Sequence, residues 1–228
     1  MEYYFRISGE FGRDLLSVLV CGSIHVCCFL FLSRYYLNDT KMRSWIVTGI
    51  SSFFLSLCGL FWVFKYVTGI EDFSRETIYS DNPVSRDIII FFMTTQFFDL
   101  LIGYFSYYDQ LNFLTSYVHH IFYMGFMLTL LISKTTNGFI YCFFEEIPTF
   151  LLALGTLVPS LRSDIFFGLS YLVTRIIYHV TLTTAYMLCM WESVYWKICL
   201  TVTVLHVYWM YKWTISMLKK AHKRKRTQ

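Results

Sequence analysis

The chain has 228 residues, of which 56% are hydrophobic, 21% aromatic and only 15% charged, and its formal net charge is +4. A soluble domain carries about 25% charged residues and divides its apolar residues into amphipathic pieces. The composition therefore excludes an ordinary soluble domain and predicts an integral membrane protein. We expect its partners to be membrane lipids and not nucleic acid.

Seven apolar stretches follow one another along the chain, each near the roughly 20 residues that a helix needs to cross a bilayer. They are predicted at residues 15–34, 45–66, 87–107, 115–133, 139–159, 165–190 and 194–217. Six crossings are the alternative if one stretch re-enters the membrane from one side. No fixed-period repeat and no linker interrupts the chain, so residues 1–228 are predicted to form one transmembrane domain. The predicted fold is all-α, a bundle of about seven helices around a lipid-accessible polar cavity.

The segments between these stretches predict the orientation. Lys and Arg are in modest excess on the side of the C-terminus, which the positive-inside rule assigns to the cytosol. The basic tail, residues 219–228, resembles a dibasic endoplasmic-reticulum retrieval signal, and a basic stop after the last helix is the alternative. The glycosylation pattern at residues 38–40 would then lie in the cytosol and stay unused. The longest loop, residues 68–86, is interpreted as a solvated connection.

Ionisable residues recur inside the apolar stretches, although a charge at mid-bilayer costs roughly 2.5–3.5 kcal/mol on insertion scales. Such groups face the bundle interior and find partners there, so we expect one shared interior site. The set comprises Asp99 in the third stretch, His119 and His120 in the fourth, Glu145 and Glu146 in the fifth, Arg175 and His179 in the sixth, and His206 in the seventh.

Helix geometry refines this expectation. Adjacent helical residues lie about 100° apart, so only one of His119 and His120 can point at a given spot. Arg175 and His179 share a face, which Tyr171 flanks. Pro148 removes a backbone hydrogen bond and predicts a kink near the two glutamates.

Several of these residues also have structural interpretations. Asp99 or Glu146 could simply pair with Arg175 to hold the bundle together, and His206 could lie among aromatic residues near the membrane interface. His25 stands alone in the first stretch and is interpreted as structural.

The order of these residues resembles that of the TLC domain family of endoplasmic-reticulum membrane proteins, which includes ceramide synthases and many uncharacterised members. The similar segments are "FFDLLIGY", "YVHHIFY", "EEIPTFLLALG", "YLVTRIIYH" and "LHVYWMYKW". The TLC-like core would cover residues of about 40–218. The resemblance is closer to the uncharacterised branches than to true ceramide synthases.

This resemblance implies six or seven helices around a lipid-accessible cavity, with location in the endoplasmic-reticulum membrane. In ceramide synthases the histidine pair and acidic residues are implicated in acyl transfer from acyl-CoA to a sphingoid base. By position this implies catalytic roles for His119, His120 and Asp99. The chain departs from ceramide synthases at Glu145 and Glu146, where those enzymes carry a His-Asp…Asp cluster.

The residue types are consistent with acyl transfer on chemical grounds. Histidine is the natural general base near neutral pH, and a neighbouring carboxylate can fix its tautomer. Arg175 could neutralise a phosphate or a developing oxyanion. The predicted catalytic residues are His119, His120, Asp99 and Glu146, and the predicted substrate-binding residues are Arg175, Glu145, His179, Tyr171 and His206. No tightly bound cofactor is expected, acyl-CoA is the expected co-substrate, and a homodimer is compatible with the sequence.

Three other classes of function stay open. A non-catalytic lipid-binding protein that regulates membrane lipid composition or trafficking would use the same polar residues for a headgroup. A proton-coupled transporter would use buried His and Glu, but no inverted repeat is visible. A metal hydrolase is disfavoured because HExxH is absent and no helix shows ligand spacing, so no metal site is predicted. The seven cysteines lie in apolar runs and are interpreted as small buried side chains.

Overall fold

The computed structural model describes the backbone of residues 2–227 and the side chains of residues 11–223. Within this range the chain is helical and contains no strand, so the predicted all-α fold is confirmed. Six helical segments are long and apolar enough to cross a membrane, and we number them spans 1 to 6. They are Phe11–Tyr36, Thr40–Val67, Pro83–Ser106, Phe113–Ser133, Asn137–Leu157 and Asp164–Cys189.

Regular and distorted helices alternate within the spans. The α-helices are Glu2–Ser33, Thr40–Ser44, Ile46–Val67, Arg75–Ile78, Pro83–Ser106, His119–Ser133, Asn137–Ile140, Ile147–Leu157, Asp164–Tyr171, His179–Cys189 and Tyr195–Thr227. The 3-10 segments are Arg34–Tyr36, Tyr108–Gln110, Tyr141–Glu146 and Pro159–Leu161, and the π-helical segments are Phe113–Val118 and Leu172–Tyr178.

The last helix, Tyr195–Thr227, covers all but the first residue of the seventh predicted stretch but is not among the six apolar spans. At its start the Tyr195 hydroxyl donates to the backbone carbonyl of Thr135 at 2.9 Å. Near its end the Lys220 ammonium pairs with the carboxylate of Asp164. Thr135 follows span 4 and Asp164 begins span 6, which places them at opposite ends of the bundle. A helix of 33 residues is about 50 Å long, so the last helix runs the whole length of the bundle.

Spans 2 and 3 form the centre of the bundle. About half of an 18-residue apolar segment in each is buried inside the protein, whereas only 17% of the corresponding segments of spans 1 and 4 is buried. Span 3 begins with a capping box in which the Asn82 side chain accepts from the Ser85 amide, and Pro83 occupies the first turn. This cap satisfies amides that the first turn of a helix leaves unpaired. Span 2 lies so close to span 5 that Gly59 faces the backbone of Phe144 directly.

The loop between spans 2 and 3 is largely exposed or half-buried, as expected of a solvated connection, but it packs onto the bundle around Asn137. Ile78 is fully buried, and the buried Asn137 side chain donates to the backbone carbonyl of Thr77 at 3.0 Å. The same side chain accepts from the Trp62 indole at 2.9 Å. One buried amide therefore joins spans 2 and 5 to this loop, because a polar group inside the bundle must find its partners there.

Candidate functional site

The predicted site residues lie in two clusters within the described part of the chain. The first cluster consists of Asp99, His120 and Tyr107, with His119 beside it. The second consists of Glu145, Glu146, Tyr171, Arg175, His179 and His206. Asp99 pairs with His120 and not with Arg175, so the acidic residue of span 3 and the arginine of span 6 have different partners.

The first cluster fixes His120 at both ring nitrogens. Its Nδ1 lies at hydrogen-bond distance from the backbone carbonyl of Ser116, and its Nε2 lies 3.3 Å from Oδ2 of Asp99. The Tyr107 hydroxyl donates to Oδ1 of Asp99 at 2.7 Å. Because a carbonyl only accepts, Nδ1 of His120 carries a proton, and Nε2 faces the carboxyl group.

Sequence reasoning missed Tyr107. This residue is 1% exposed and lies just beyond the end of span 3, where the chain turns back so that its hydroxyl reaches a carboxylate eight residues earlier. A buried tyrosine usually finds a partner for its hydroxyl. The nearby Asp99 in the same apolar stretch was the only signal in the sequence.

His119 differs from His120 in its surroundings. Its ring packs against Tyr123 at 4.8 Å and edge-on against His120 at 5.5 Å. The side chain is exposed, and among the described residues no group hydrogen-bonds to its ring nitrogens. The π-helical segment Phe113–Val118 ends immediately before it, and such distortions are frequent at functional sites.

Arg175 organises the second cluster through three contacts to span 5. Its Nε donates to the backbone carbonyl of Glu145 at 2.9 Å, and its Nη2 donates to the Thr149 hydroxyl at 2.8 Å. The same Nη2 lies 3.5 Å from the carboxylate of Glu146. The guanidinium also stands 5.7 Å from the ring centre of Tyr171. Glu146 is therefore the carboxylate partner of Arg175, which is one of the two pairings that the sequence left open.

The remaining carboxylate, Glu145, meets two histidines. His179 Nδ1 lies 2.7 Å from Oε1 of Glu145, and His206 Nδ1 lies 3.8 Å from Oε2. The two imidazole rings stand edge to face with centres 4.6 Å apart. His206 is 3% exposed and its backbone carbonyl accepts from the Tyr171 hydroxyl at 3.3 Å. It therefore belongs to the bundle interior and not to the membrane interface.

The helix geometry around the second cluster follows the sequence prediction. Arg175 and His179 both contact Glu145, as expected for residues on one face. The segment Tyr141–Glu146 is a 3-10 helix and changes to a regular α-helix at Ile147, with Pro148 in its first turn. Proline fits the first turn of a helix because no amide is needed there.

The two clusters lie near each other on the side of His119. Arg175 is within electrostatic range of both His119 and Tyr123, and Glu146 is within electrostatic range of Tyr123. No protein-family model matches this chain, and no curated protein or solved structure matches it.

A separate apolar groove lies between spans 1, 3 and 4. Its volume is about 870 Å³, and none of its lining residues is ionisable apart from one cysteine. Span 4 contributes Ile121, Met124, Gly125 and Leu128 to it. A groove of this size and composition suits a hydrocarbon chain.

At the end of the bundle that carries the tail, Asp109 joins two loops. Its carboxylate accepts from the Gln110 side chain at 2.7 Å and from the Thr40 hydroxyl at 3.0 Å. These hydrogen bonds hold the pKa of Asp109 below its usual value. The predicted basic tail begins at this same end of the bundle. The side chains of its last residues, 224–228, lie outside the described residues.

Proposed function

We propose that this chain is an acyltransferase of the endoplasmic-reticulum membrane, related to the TLC domain family, that moves an acyl chain from acyl-CoA to a lipid acceptor. The observation that carries the proposal is the asymmetry of the histidine pair. His120 is held between a backbone carbonyl and Asp99, whereas His119 has a free, exposed imidazole beside it. To take a proton from a substrate, the His119 imidazole must be free of other hydrogen bonds, and the fixed ring of His120 keeps it in position.

In this mechanism His119 acts as the general base. Its neutral ring accepts the proton from the amine or hydroxyl of the acceptor lipid while the acceptor attacks the thioester carbonyl. The carbon–sulfur bond then breaks, the coenzyme A thiolate leaves, and the proton on His119 passes to that sulfur. A neutral imidazole can accept a proton and then release it, so one ring serves both transfers.

The other residues position the histidines and stabilise the charge that develops during the reaction. Asp99 and Tyr107 hold His120, and the ring of His120 supports the ring of His119 at 5.5 Å. Arg175, which is within electrostatic range of His119, would stabilise the oxyanion that forms on the thioester carbonyl or bind a phosphate of the co-substrate. Glu146 holds Arg175 in place.

The test uses cells that lack the native protein and receive wild type, His119→Ala, His120→Ala or His222→Ala at matched protein levels. His222 is the control because it is an exposed histidine of the last helix. Ceramides and glycerophospholipids are quantified by mass spectrometry. We expect wild type and His222→Ala to restore one acyl-lipid class and His119→Ala to lose about 10²- to 10⁴-fold in rate. A His119→Ala variant that restores the same lipid class as wild type would refute the proposal.

The apolar groove favours a second candidate, a non-catalytic lipid-binding protein that regulates membrane lipid composition or trafficking. The groove is large enough for an acyl chain, and its lining residues do not include the histidines. In this case a photoreactive acyl lipid would crosslink to span 4 in wild type, and the His119→Ala variant would show the same lipid profile and the same crosslink.

Orientation and location belong to the proposal as well. We infer a cytosolic C-terminus from the basic tail, and the pairing of Lys220 with Asp164 puts the start of span 6 at the same end of the bundle. Asn38 lies at this end and would stay unglycosylated. Glycosylation at Asn38 in cells would reverse the inferred orientation.

A further inference from the structure

We propose that Glu145, His179 and His206 bind a divalent transition-metal ion inside the bundle. The three side chains come from span 5, span 6 and the last helix, and one ligand atom from each lies within 4.8 Å of the other two. All three residues are buried. This inference goes beyond acyl transfer and does not depend on it.

The hydrogen bonds of His179 identify the nitrogen that faces the site. Nε2 of His179 lies 2.8 Å from the backbone carbonyl of Cys199. A carbonyl only accepts, so Nε2 carries the proton and Nδ1 of the neutral ring has a free lone pair. Histidines that bind metals in proteins characteristically donate their second ring nitrogen to a carbonyl or carboxylate in this way.

The lone pair of His179 Nδ1 then faces a carboxylate oxygen. The Nδ1–Oε1 distance of 2.7 Å brings two acceptors together unless something positive lies between them. A single proton would satisfy this contact alone. A metal ion would satisfy it too, because both atoms are ligands that such ions prefer.

His206 distinguishes the two possibilities. Its Nδ1 is buried and has no hydrogen-bond partner, although it points at Oε2 of Glu145 from 3.8 Å. A shared proton between Glu145 and His179 leaves this nitrogen unpaired, whereas a metal ion held by all three residues gives it a partner. Buried polar atoms without partners are rare, and each one needs an explanation.

A bound metal requires side-chain rotations that bring the three ligand atoms, now within 4.8 Å of one another, to their metal-bound spacing. Zinc binds nitrogen and oxygen at about 2.0–2.2 Å, so two of its tetrahedral ligand atoms lie about 3.4 Å apart. The 2.7 Å contact lies below this value and the 3.8 Å contact lies above it. Two imidazoles and one carboxylate are the ligand set of catalytic zinc sites and of ferrous sites, both of which leave a position for water or substrate.

The surrounding charges are compatible with a bound cation. The carboxylate of Glu145 is one ligand, and the nearby guanidinium of Arg175 is paired with the carboxylate of Glu146. The sequence predicted no metal site because no single helix has ligand spacing. That argument does not apply to ligands that three separate helices bring together.

The experiment measures metal content directly. The full chain is purified in detergent, stripped with a chelator, reloaded with Zn²⁺ or Fe²⁺ and analysed by elemental mass spectrometry together with its thermal unfolding midpoint. We expect about one metal ion per chain and an increase in the unfolding midpoint on reloading. His206→Ala and Glu145→Gln should each weaken binding at least about tenfold.

Glu71→Gln is the matched control because it makes the same substitution at a partly buried carboxylate that pairs with Lys65 and is not a ligand. His25→Ala controls for loss of a buried histidine elsewhere. If wild type binds neither metal after reloading, or if Glu145→Gln binds as much metal as Glu71→Gln, the proposal is wrong. Should His206→Ala fail to fold, the comparison of the two glutamine variants still decides, and acyl transfer is not part of the readout.

Discussion

Replacing Gly59 by alanine tests whether the close contact of spans 2 and 5 positions Glu145. A Cβ atom at Gly59 would lie 2.7 Å from Cα of Phe144 and nearer still to the Phe144 amide nitrogen. Ordinary contacts begin at 3.4 Å, so span 5 would have to move by about 0.7 Å or more. The atoms that it meets belong to the backbone and cannot rotate away, and they belong to the 3-10 segment that carries Glu145.

The expected cost follows from two opposing effects. Overpacking of a well-filled core costs about 1–3 kcal/mol, while the higher helix propensity of alanine returns roughly 0.5–1 kcal/mol. The difference spans about 0–2.5 kcal/mol, and because the Cβ atom meets backbone we expect Gly59→Ala to lower the free energy of unfolding by about 2 kcal/mol. The displaced Glu145 should also weaken metal binding.

The assay is unfolding of the purified protein in mixed micelles, with Gly125→Ala as the matched control. A Cβ at Gly125 meets nothing within 4 Å, so this variant should be as stable as wild type or slightly more stable. If Gly59→Ala unfolds at the same midpoint as Gly125→Ala and binds as much metal, the close packing does not position the site.

Three further predictions concern other parts of the bundle. Asn137→Ala should lower the unfolding free energy by about 1–3 kcal/mol for each buried partner left unpaired, the Trp62 indole among them, measured in the same micelles. Hydrogen bonds from the Thr77 hydroxyl and a neighbouring serine lower the pKa of Asp72. Its stabilisation is therefore present above about pH 3.9 and is lost as the pH falls through the lowered value. When the stability of Asp72→Asn is measured as the pH is lowered, this loss should be absent. If the variant loses as much stability as wild type, the prediction is wrong. Asp99→Asn should reduce acyl transfer by about 10²-fold without lowering the amount of folded protein. If the variant is as active as wild type in vesicles, Asp99 has no role in acyl transfer.

The sequence predicted the spans and the common face of Arg175 and His179 because both depend on local periodicity. Hydropathy over about 20 residues identifies a crossing, and a spacing of four residues places two side chains on one face. Pro148 predicted a kink near the two glutamates for an equally local reason, since it lacks an amide, and the structure has a change from 3-10 to α-helix there.

The partners across helices could not be predicted in the same way. Asp99 could have paired with Arg175, and only the packing of span 3 against span 4 brings it to His120 instead. His206 reaches Glu145 because the last helix runs along span 6, a contact between helices that no spacing within one helix encodes. Nothing in the sequence distinguished Asn137 from other polar residues between two spans. Its side chain nevertheless binds the loop between spans 2 and 3 through the Thr77 carbonyl.

The most direct test of the account measures acyl transfer by the purified protein in lipid vesicles. Labelled acyl-CoA is supplied with a panel of sphingoid bases and lysophospholipids, and wild type is compared with His119→Ala and His222→Ala. The account predicts that wild type and His222→Ala form one labelled acyl lipid and that His119→Ala forms it at least about 10²-fold more slowly. If all three proteins form labelled lipid at the same rate, or if wild type forms none, the acyltransferase proposal is contradicted.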